Sequence, residues 1–174
     1  MSDPDLAVLR RLAGAPAVRT FDDRPVPPET VRALVDVVRR TGSARNRQPW
    51  RFVAVTDPQV RHALGRLGAY AQHLADAPCV VALLAADDGR RDTAFDVGRA
   101  GQTFTLAATA AGLGCCPATL YPEDNVDRAR GLLRAPPGWT PTHCFSLGHP
   151  APPPPGRSAV PRGRLPVDDL LTWI

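Results

Sequence analysis

Cys79-Val-Val-Ala-Leu-Leu-Ala-Ala86 is an apolar run of eight residues without a polar break. A strand with one wet face alternates polar and apolar side chains, so an unbroken run predicts a strand buried on both faces, central in its sheet. Asp87-Asp-Gly89 follows as a turn. Residues 92–111 then carry Phe95, Ala100, Phe104, Leu106, Ala107 and Ala111 among few charges. That pattern predicts a long helix with much of its surface covered, closed by Gly112 and Gly114.

Working outward toward the N-terminus, Trp50-Arg-Phe-Val-Ala-Val55 reads as a strand. The polar, irregular stretch Thr41 to Pro49 precedes it. A short helix is expected after Asp57-Pro58, and a further segment spans 69–76. Leu6, Leu9, Leu12 and Ala13 recur at helical spacing over residues 5–13, with Asp5 as cap and Gly14 and Pro16 as stops. Pro28 and Glu29 suit the first turn of a second helix that runs to about Arg40. Toward the C-terminus, a helix fits 124–133 and a last substantial strand fits Trp139 to Leu147. Ala151-Pro-Pro-Pro-Pro-Gly156 admits no regular structure except polyproline II. The chain regains apolar residues at its end, which suggests that 151–174 is a C-terminal arm docking at a distance, on a second subunit. With no repeats and no second boundary, residues 1–174 read as one domain.

The composition is that of an ordinary soluble domain, 44% apolar and 22% charged. No apolar stretch approaches the roughly 20 residues of a membrane helix. The acidic start Met-Ser-Asp-Pro-Asp lacks a signal-peptide core, so no membrane association and a cytoplasmic location are expected. All 21 basic residues are arginine, and the net charge is +4. They are scattered rather than gathered with aromatics, which argues against nucleic acid and leaves cofactor phosphate as their better partner. Cys79, Cys115, Cys116 and Cys144 form no Cys-x-x-Cys pair and no zinc spacing with histidine, and read as small buried hydrophobes; no metal site is expected.

Standard catalytic devices are missing from the sequence. There is no Gly-x-Ser-x-Gly elbow, and no phosphate loop ending in Gly-Lys-Ser/Thr. His62, His73, His143 and His149 have no acidic partner at useful spacing. A chain so poor in catalytic groups can still be an enzyme when a cofactor carries the reaction.

Five blocks stand in one order: Val18-Arg-Thr-Phe21 with Arg24-Pro-Val-Pro27, Ser43-Ala-Arg-Asn-Arg-Gln-Pro-Trp50, Asp96-x-Gly-x-Ala-x-Gln102 with Gly112-Leu-Gly114, Leu147-Gly-His-Pro150, and Arg162-Gly-Arg-Leu-Pro166. This collinear set resembles the nitroreductase-type flavoproteins over residues 5 to 174. The resemblance implies an α+β fold, with a mixed, mainly antiparallel sheet flanked by helices and a long central helix at a homodimer interface. It implies FMN as cofactor, NAD(P)H as electron donor, and a small-molecule acceptor such as a nitroaromatic, quinone or enone reached by ping-pong transfer. No side chain is expected to be catalytic in its own right.

The same resemblance implies the cofactor-binding residues. Arg19, Arg162 and Arg164 would clamp the FMN phosphate, whose charge suits forked guanidinium donors; the alternative for the last two is a solvated basic tail. Ser43 and Asn46 would reach the FMN held mainly by the partner subunit, the alternative being a plain cap and turn. Pro117 and Ala118 would pack on one face of the ring, and the backbone N–H of Thr119 would point at flavin N5. His73 would lie near flavin N1 and O2, or else be an ordinary surface histidine. Ala15-Pro16-Ala17 stands where the family shows an Arg and a Ser for the phosphate, which weakens that site by about 2–4 kcal/mol unless Arg10 and Arg11 compensate. The chain also lacks an inserted helical pair that often shapes the substrate pocket. Two other functions stay open: a flavin-dependent dehydrogenase or oxidase on the same scaffold, and a non-enzymatic flavin-binding protein.

Overall fold

A computed structural model of the chain describes residues 3–153 and 163–174. In chain order the elements are α1 (Pro4–Ala13), α2 (Pro28–Val38), a 3-10 turn (Ala44–Asn46), β1 (Trp50–Val55), α3 (Pro58–Leu64) and α4 (His73–Asp76). Then come β2 (Cys79–Ala86), α5 (Arg91–Ala110), β3 (Gly114–Thr119), α6 (Glu123–Leu133), β4 (Trp139–Gly148) and a 3-10 turn at Val167–Asp169. The chain is α+β, with a four-stranded sheet in the order β1-β2-β4-β3. Every strand pairing among the described residues is antiparallel.

The apolar run Cys79–Ala86 is the central strand that its composition demands. β1 and β4 flank it, and its first six side chains are buried. Its odd-numbered residues face α2 and α5. There Cys79, Val81 and Leu83 join Phe104, Val97, Leu34, Phe145 and Leu147 in one core. Its even-numbered residues face α3, α4 and α6 and pack with Leu64, Leu74, Val126 and Leu133 in a second core. Phe104 sits between Phe52 and Phe145, with ring centroids at 5.9 and 5.1 Å, a spacing that favours offset and edge contacts.

α5 is the long helix expected, but its cover is one-sided. Thr93, Asp96, Val97, Ala100, Gly101, Phe104, Ala107 and Ala108 are buried. Phe95 on the outer face is 69% exposed. β3 is the element that the sequence reading does not assign, since Gly112 and Gly114 there only close the helix. A proline at Pro117 argues against an interior strand, and β3 is an edge strand, where proline is tolerated. The segment 69–76 supplies a helix at His73–Asp76 alone. No described helix is long and apolar enough to cross a membrane.

The N-terminal segment after α1 runs along the outer edge of β3. Val18 N–H donates to the Cys115 carbonyl at 3.1 Å, and Phe21 forms a bridge with Pro150. Gly114 permits this approach, because a Cβ there would stand 2.5 Å from Val18 Cγ1. We expect Gly114→Ala to cost about 1–3 kcal/mol by overpacking. Gly131 on the exposed side of α6 has nothing within 4 Å of a built Cβ, so Gly131→Ala should be neutral or stabilising by up to about 1 kcal/mol. Chemical denaturation of the two variants checks both, and equal midpoints would show that Gly114 has room to spare.

Candidate functional site

The phase of β3 decides what this edge offers. Cys115 turns its carbonyl outward to Val18, whereas Leu120 N–H donates inward to Thr142 of β4 at 3.3 Å. Backbone directions alternate along a strand, so Pro117 and Thr119 share the outward phase of Cys115. Pro117 therefore sits where a missing N–H costs no ladder bond, and the N–H of Thr119 faces away from β4. Side chains alternate as well. Pro117 and Thr119 are exposed on the face toward α5, while Ala118 is buried in the opposite core at 5% exposure. The structure thus separates Pro117 from Ala118. The side chain of Ala118 packs between sheet and helices and has no surface to offer a ring.

On that second face the edge meets α4. His73 is 8% exposed, and its Nδ1 lies 2.8 Å from Ser146 Oγ of β4. Ser146 is fully buried and directs its hydroxyl at the Cys116 carbonyl, 3.4 Å away. The other ring nitrogen of His73, Nε2, is buried without a hydrogen-bond partner. Burial, reinforced by the positive charge of Arg19, pushes His73 down to about 4. The same guanidinium partly offsets the burial that raises the Cys116 thiol. Arg19, His73, Cys116 and Ser146 therefore form one cluster beside the β3 edge, brought from four separate segments. His73 is not an ordinary surface histidine.

Ser43 and Asn46 belong to a different construction. Ser43 Oγ accepts from Gln48 N–H at 2.9 Å, and the Gln48 amide reaches Asn46 Oδ1 at 3.3 Å. Arg45, Asn46 and Gln48 all have left-handed backbones, with φ of 54°, 53° and 51°. Such residues each cost on the order of 1–3 kcal/mol and persist where their surroundings over-determine them. The surroundings here are on and beside α5: Asp96 Oδ2 accepts from Ala44 N–H at 2.9 Å, and Arg47 reaches Asp88, Thr93 and Asp96. Asp96 is 2% exposed. The loop is thereby pinned to the N-terminal half of α5, with Asn46 exposed and Ser43 half-buried. Ser43 does act as a turn brace, as the simpler reading has it, and its hydroxyl hydrogen is still free to donate outward.

On the α5 side of the sheet lies a groove of about 620 Å³, bounded by Thr93, Gly98 and Gly101 of α5, Pro117 and Thr119 of β3, and Phe145 of β4. That volume suits a cofactor-sized ligand. Pro117 and Thr119 line this groove, whereas His73, with its unpartnered Nε2, lies buried on the other face of the sheet. Arg164 is exposed and donates to the neighbouring Gly163 carbonyl. Arg162 lies outside the described residues. Ala15 and Ala17 offer no side-chain donor, and Arg10 and Arg11 are exposed in the last turn of α1.

Sequence reasoning misses Ser146, Asp96 and Arg47 as members of this region. Each leaves a faint signal. Ser146 is a lone hydroxyl in the apolar Cys144-Phe-Ser-Leu147, and Asp96 is an acid on the otherwise apolar face of α5. The four cysteines are free and buried, as expected, and burial pushes the thiols of Cys79, Cys115 and Cys144 up to about 11, 12 and 12.

With the two-faced core, the open β3 edge and this groove in view, the comparisons with known proteins agree. The nitroreductase family profile matches residues 13–73 and 65–149. The chain belongs to the nitroreductase family and is an oxidoreductase of that type. It is 28% identical over 148 residues to a Methanothermobacter thermautotrophicus protein whose name pairs NADH dehydrogenase with NAD(P)H nitroreductase, covering 83% of this chain and 78% of that one. A solved Parabacteroides distasonis structure with the same pair of activities in its name superposes with a TM-score of 0.79 at 24% identity, covering 96% of each chain. An FMN-dependent nitroreductase from Clostridium difficile superposes at 0.76 and 18% identity, covering 87% of this chain and 92% of that one.

The depressed His73 makes stability depend on pH. Between about pH 6.5 and about pH 4 the unfolded chain protonates this histidine and the native chain does not, so the unfolded state binds more protons. Stability falls as pH drops through that window, by on the order of 3 kcal/mol from this group at its lower end. Half-buried His143 is lowered by burial too and acts in the same direction. Urea midpoints at neutral pH and near pH 5 should differ in wild type, and the difference should shrink in His73→Phe. An unchanged difference would place His73 in solvent.

Proposed function

We propose that the chain is an FMN-dependent oxidoreductase that draws electrons from NAD(P)H and passes them, in ping-pong order, to a small electrophile such as a nitroaromatic, quinone or enone. The observation that carries this reading is the cluster of Arg19, His73, Cys116 and Ser146 against a strand edge whose Thr119 N–H points outward. FMN would supply the two-electron chemistry when bound, so the buried Ser146 hydroxyl and Cys116 thiol need not act as nucleophiles. The chain's residues bind and orient. Arg19 and Arg164, with Arg162, hold phosphate; Thr119 N–H donates toward the N5 edge of the ring; Pro117 covers one ring face; His73 meets the pyrimidine end.

The second half of the site is proposed to come from another copy of the chain. Ser43 and Asn46 stand on a loop pinned to α5, and the outer face of that helix carries exposed Phe95. The segment from Gly163 to Ile174 exposes Leu165, Val167, Leu170, Leu171, Trp173 and Ile174. So much apolar surface on one short arm suits docking on a partner subunit, as the domain reading of 151–174 requires.

The purified protein should show flavin absorption or take up one FMN per subunit, and then consume NAD(P)H in the presence of a quinone. Arg19→Ala and Arg164→Ala should each weaken FMN binding about tenfold or more, as loss of a charge-assisted phosphate contact does. Uptake of FMN without any NAD(P)H consumption would favour the non-enzymatic reading to which Ala15 and Ala17 point. A colourless protein that ignores FMN would sink the assignment.

A further inference from the structure

α5 meets the sheet closely at one end of the groove and stands clear of it at the other. A Cβ built on Gly101 would lie 3.3 Å from both Leu83 Cδ2 and Phe145 Cζ, whereas one built on Gly98, nearly a turn earlier, meets nothing within 4 Å. Both glycines line the groove, so the space opens between Gly98 and the sheet. Its floor runs inward from the β3 edge across β4 to β2, over Phe145, His143, Leu83 and Ala85. The polar groups around it divide by whether the fold already uses them. Thr105 Oγ1 donates to the Gly101 carbonyl at 3.2 Å, and Thr142 Oγ1 donates to the Leu83 carbonyl at 3.3 Å. At the mouth, Arg47 and Thr93 bond to Asp88, and Arg90 stands 3.9 Å from it, so the charges there are answered within the chain. His143 is different. It is half-buried in the floor, and its ring has no hydrogen-bond partner among the described residues. Burial lowers it from the ordinary histidine value, which leaves it uncharged at neutral pH with one N–H and one lone pair to offer.

We propose that this groove binds the ring of an uncharged planar acceptor, a quinone, with His143 as the positioning contact for its carbonyl oxygen and Gly98 as the open wall that admits it. Three physical constraints select that chemistry. A charged ligand would be desolvated among apolar walls with no counter-charge left to meet it. A flat ring can lie against Phe145 with the offset or edge contact that aromatic pairs favour. A ring oxygen gives the His143 N–H the acceptor that the fold does not supply. The proposal deepens the reading of the chain as an oxidoreductase that delivers electrons to a small electrophile, and it requires no particular placement of the flavin.

Calorimetric titration of the full-length protein with duroquinone, a fully methylated quinone that cannot add thiols, tests this without NAD(P)H and so without turnover. Wild type should bind one quinone per chain, whether or not FMN is present. Gly98→Leu should abolish binding by filling the open wall, and its thermal midpoint should equal or exceed that of wild type, because leucine suits a helix better than glycine. His143→Phe should weaken binding about tenfold, as loss of one hydrogen bond does, and His143→Gln, which keeps an N–H donor, should recover part of the loss. Failure of wild type to bind duroquinone saturably overturns the proposal, as do Gly98→Leu or His143→Phe variants that bind as wild type does. Mutual exclusion of FMN and quinone would give the groove to the cofactor and overturn it too. Quinone binding by a protein that takes up no FMN would sink the flavin reading and leave this site standing.

Discussion

The hydrogen bond from Val18 N–H to the Cys115 carbonyl anchors the N-terminal segment to β3 and marks which way each residue of that strand faces. With Cys115 outward, Thr119 N–H is outward and Pro117 occupies a position where it removes no ladder bond. Cys116 then lies opposite Ser146, and Ala118 is sealed in the core. A slip of one residue would invert all of this, burying Pro117 against helices and sending Ala118 to the surface. The same bond carries Arg19 to the edge, because Arg19 is the next residue in the chain.

Much of the fold is legible in the sequence because a short unbroken apolar run, bounded by turn residues, marks a strand buried on two faces. The unbroken Cys79–Ala86 run announces a central strand, and residues 92–111 announce a long helix, although only one face of it is covered. β3 escapes for the converse reason. An edge strand of six residues with glycine, two cysteines and a proline carries neither alternation nor strong strand formers. Its pairing with β4 and its contact with Val18 determine it, and both are long-range. Propensity along a single segment does not register either.

The site divides the same way. Residues that act through sequence-local geometry, such as the left-handed Asn46 in a polar loop, are visible as a pattern before any fold is known. His73 is visible only as a residue type, since its neutrality comes from burial under segments far away in the chain. Ser146 and Asp96 do their work entirely through tertiary contacts: one bridges α4 to β3, the other ties the 43–48 loop to α5. Ala118 shows the opposite error. Proximity in sequence to Pro117 suggests a shared role, and strand alternation forbids it.

Asp96 and Ser146 also explain how one small domain can present two unlike surfaces. Asp96 is a buried acid whose neighbours are a backbone N–H and two arginines, Arg47 and Arg99. Those partners offset the cost of burying a charge, and they leave the strained loop rigid while its Asn46 stays outside. Ser146 is a neutral relay in a place where Arg19 is the nearby charge, and it leaves one nitrogen of His73 without a partner. Buried polar atoms of native structures are rarely left without a partner. Both constructions leave one buried nitrogen without a hydrogen-bond partner among the described residues, Nη2 of Arg47 and Nε2 of His73.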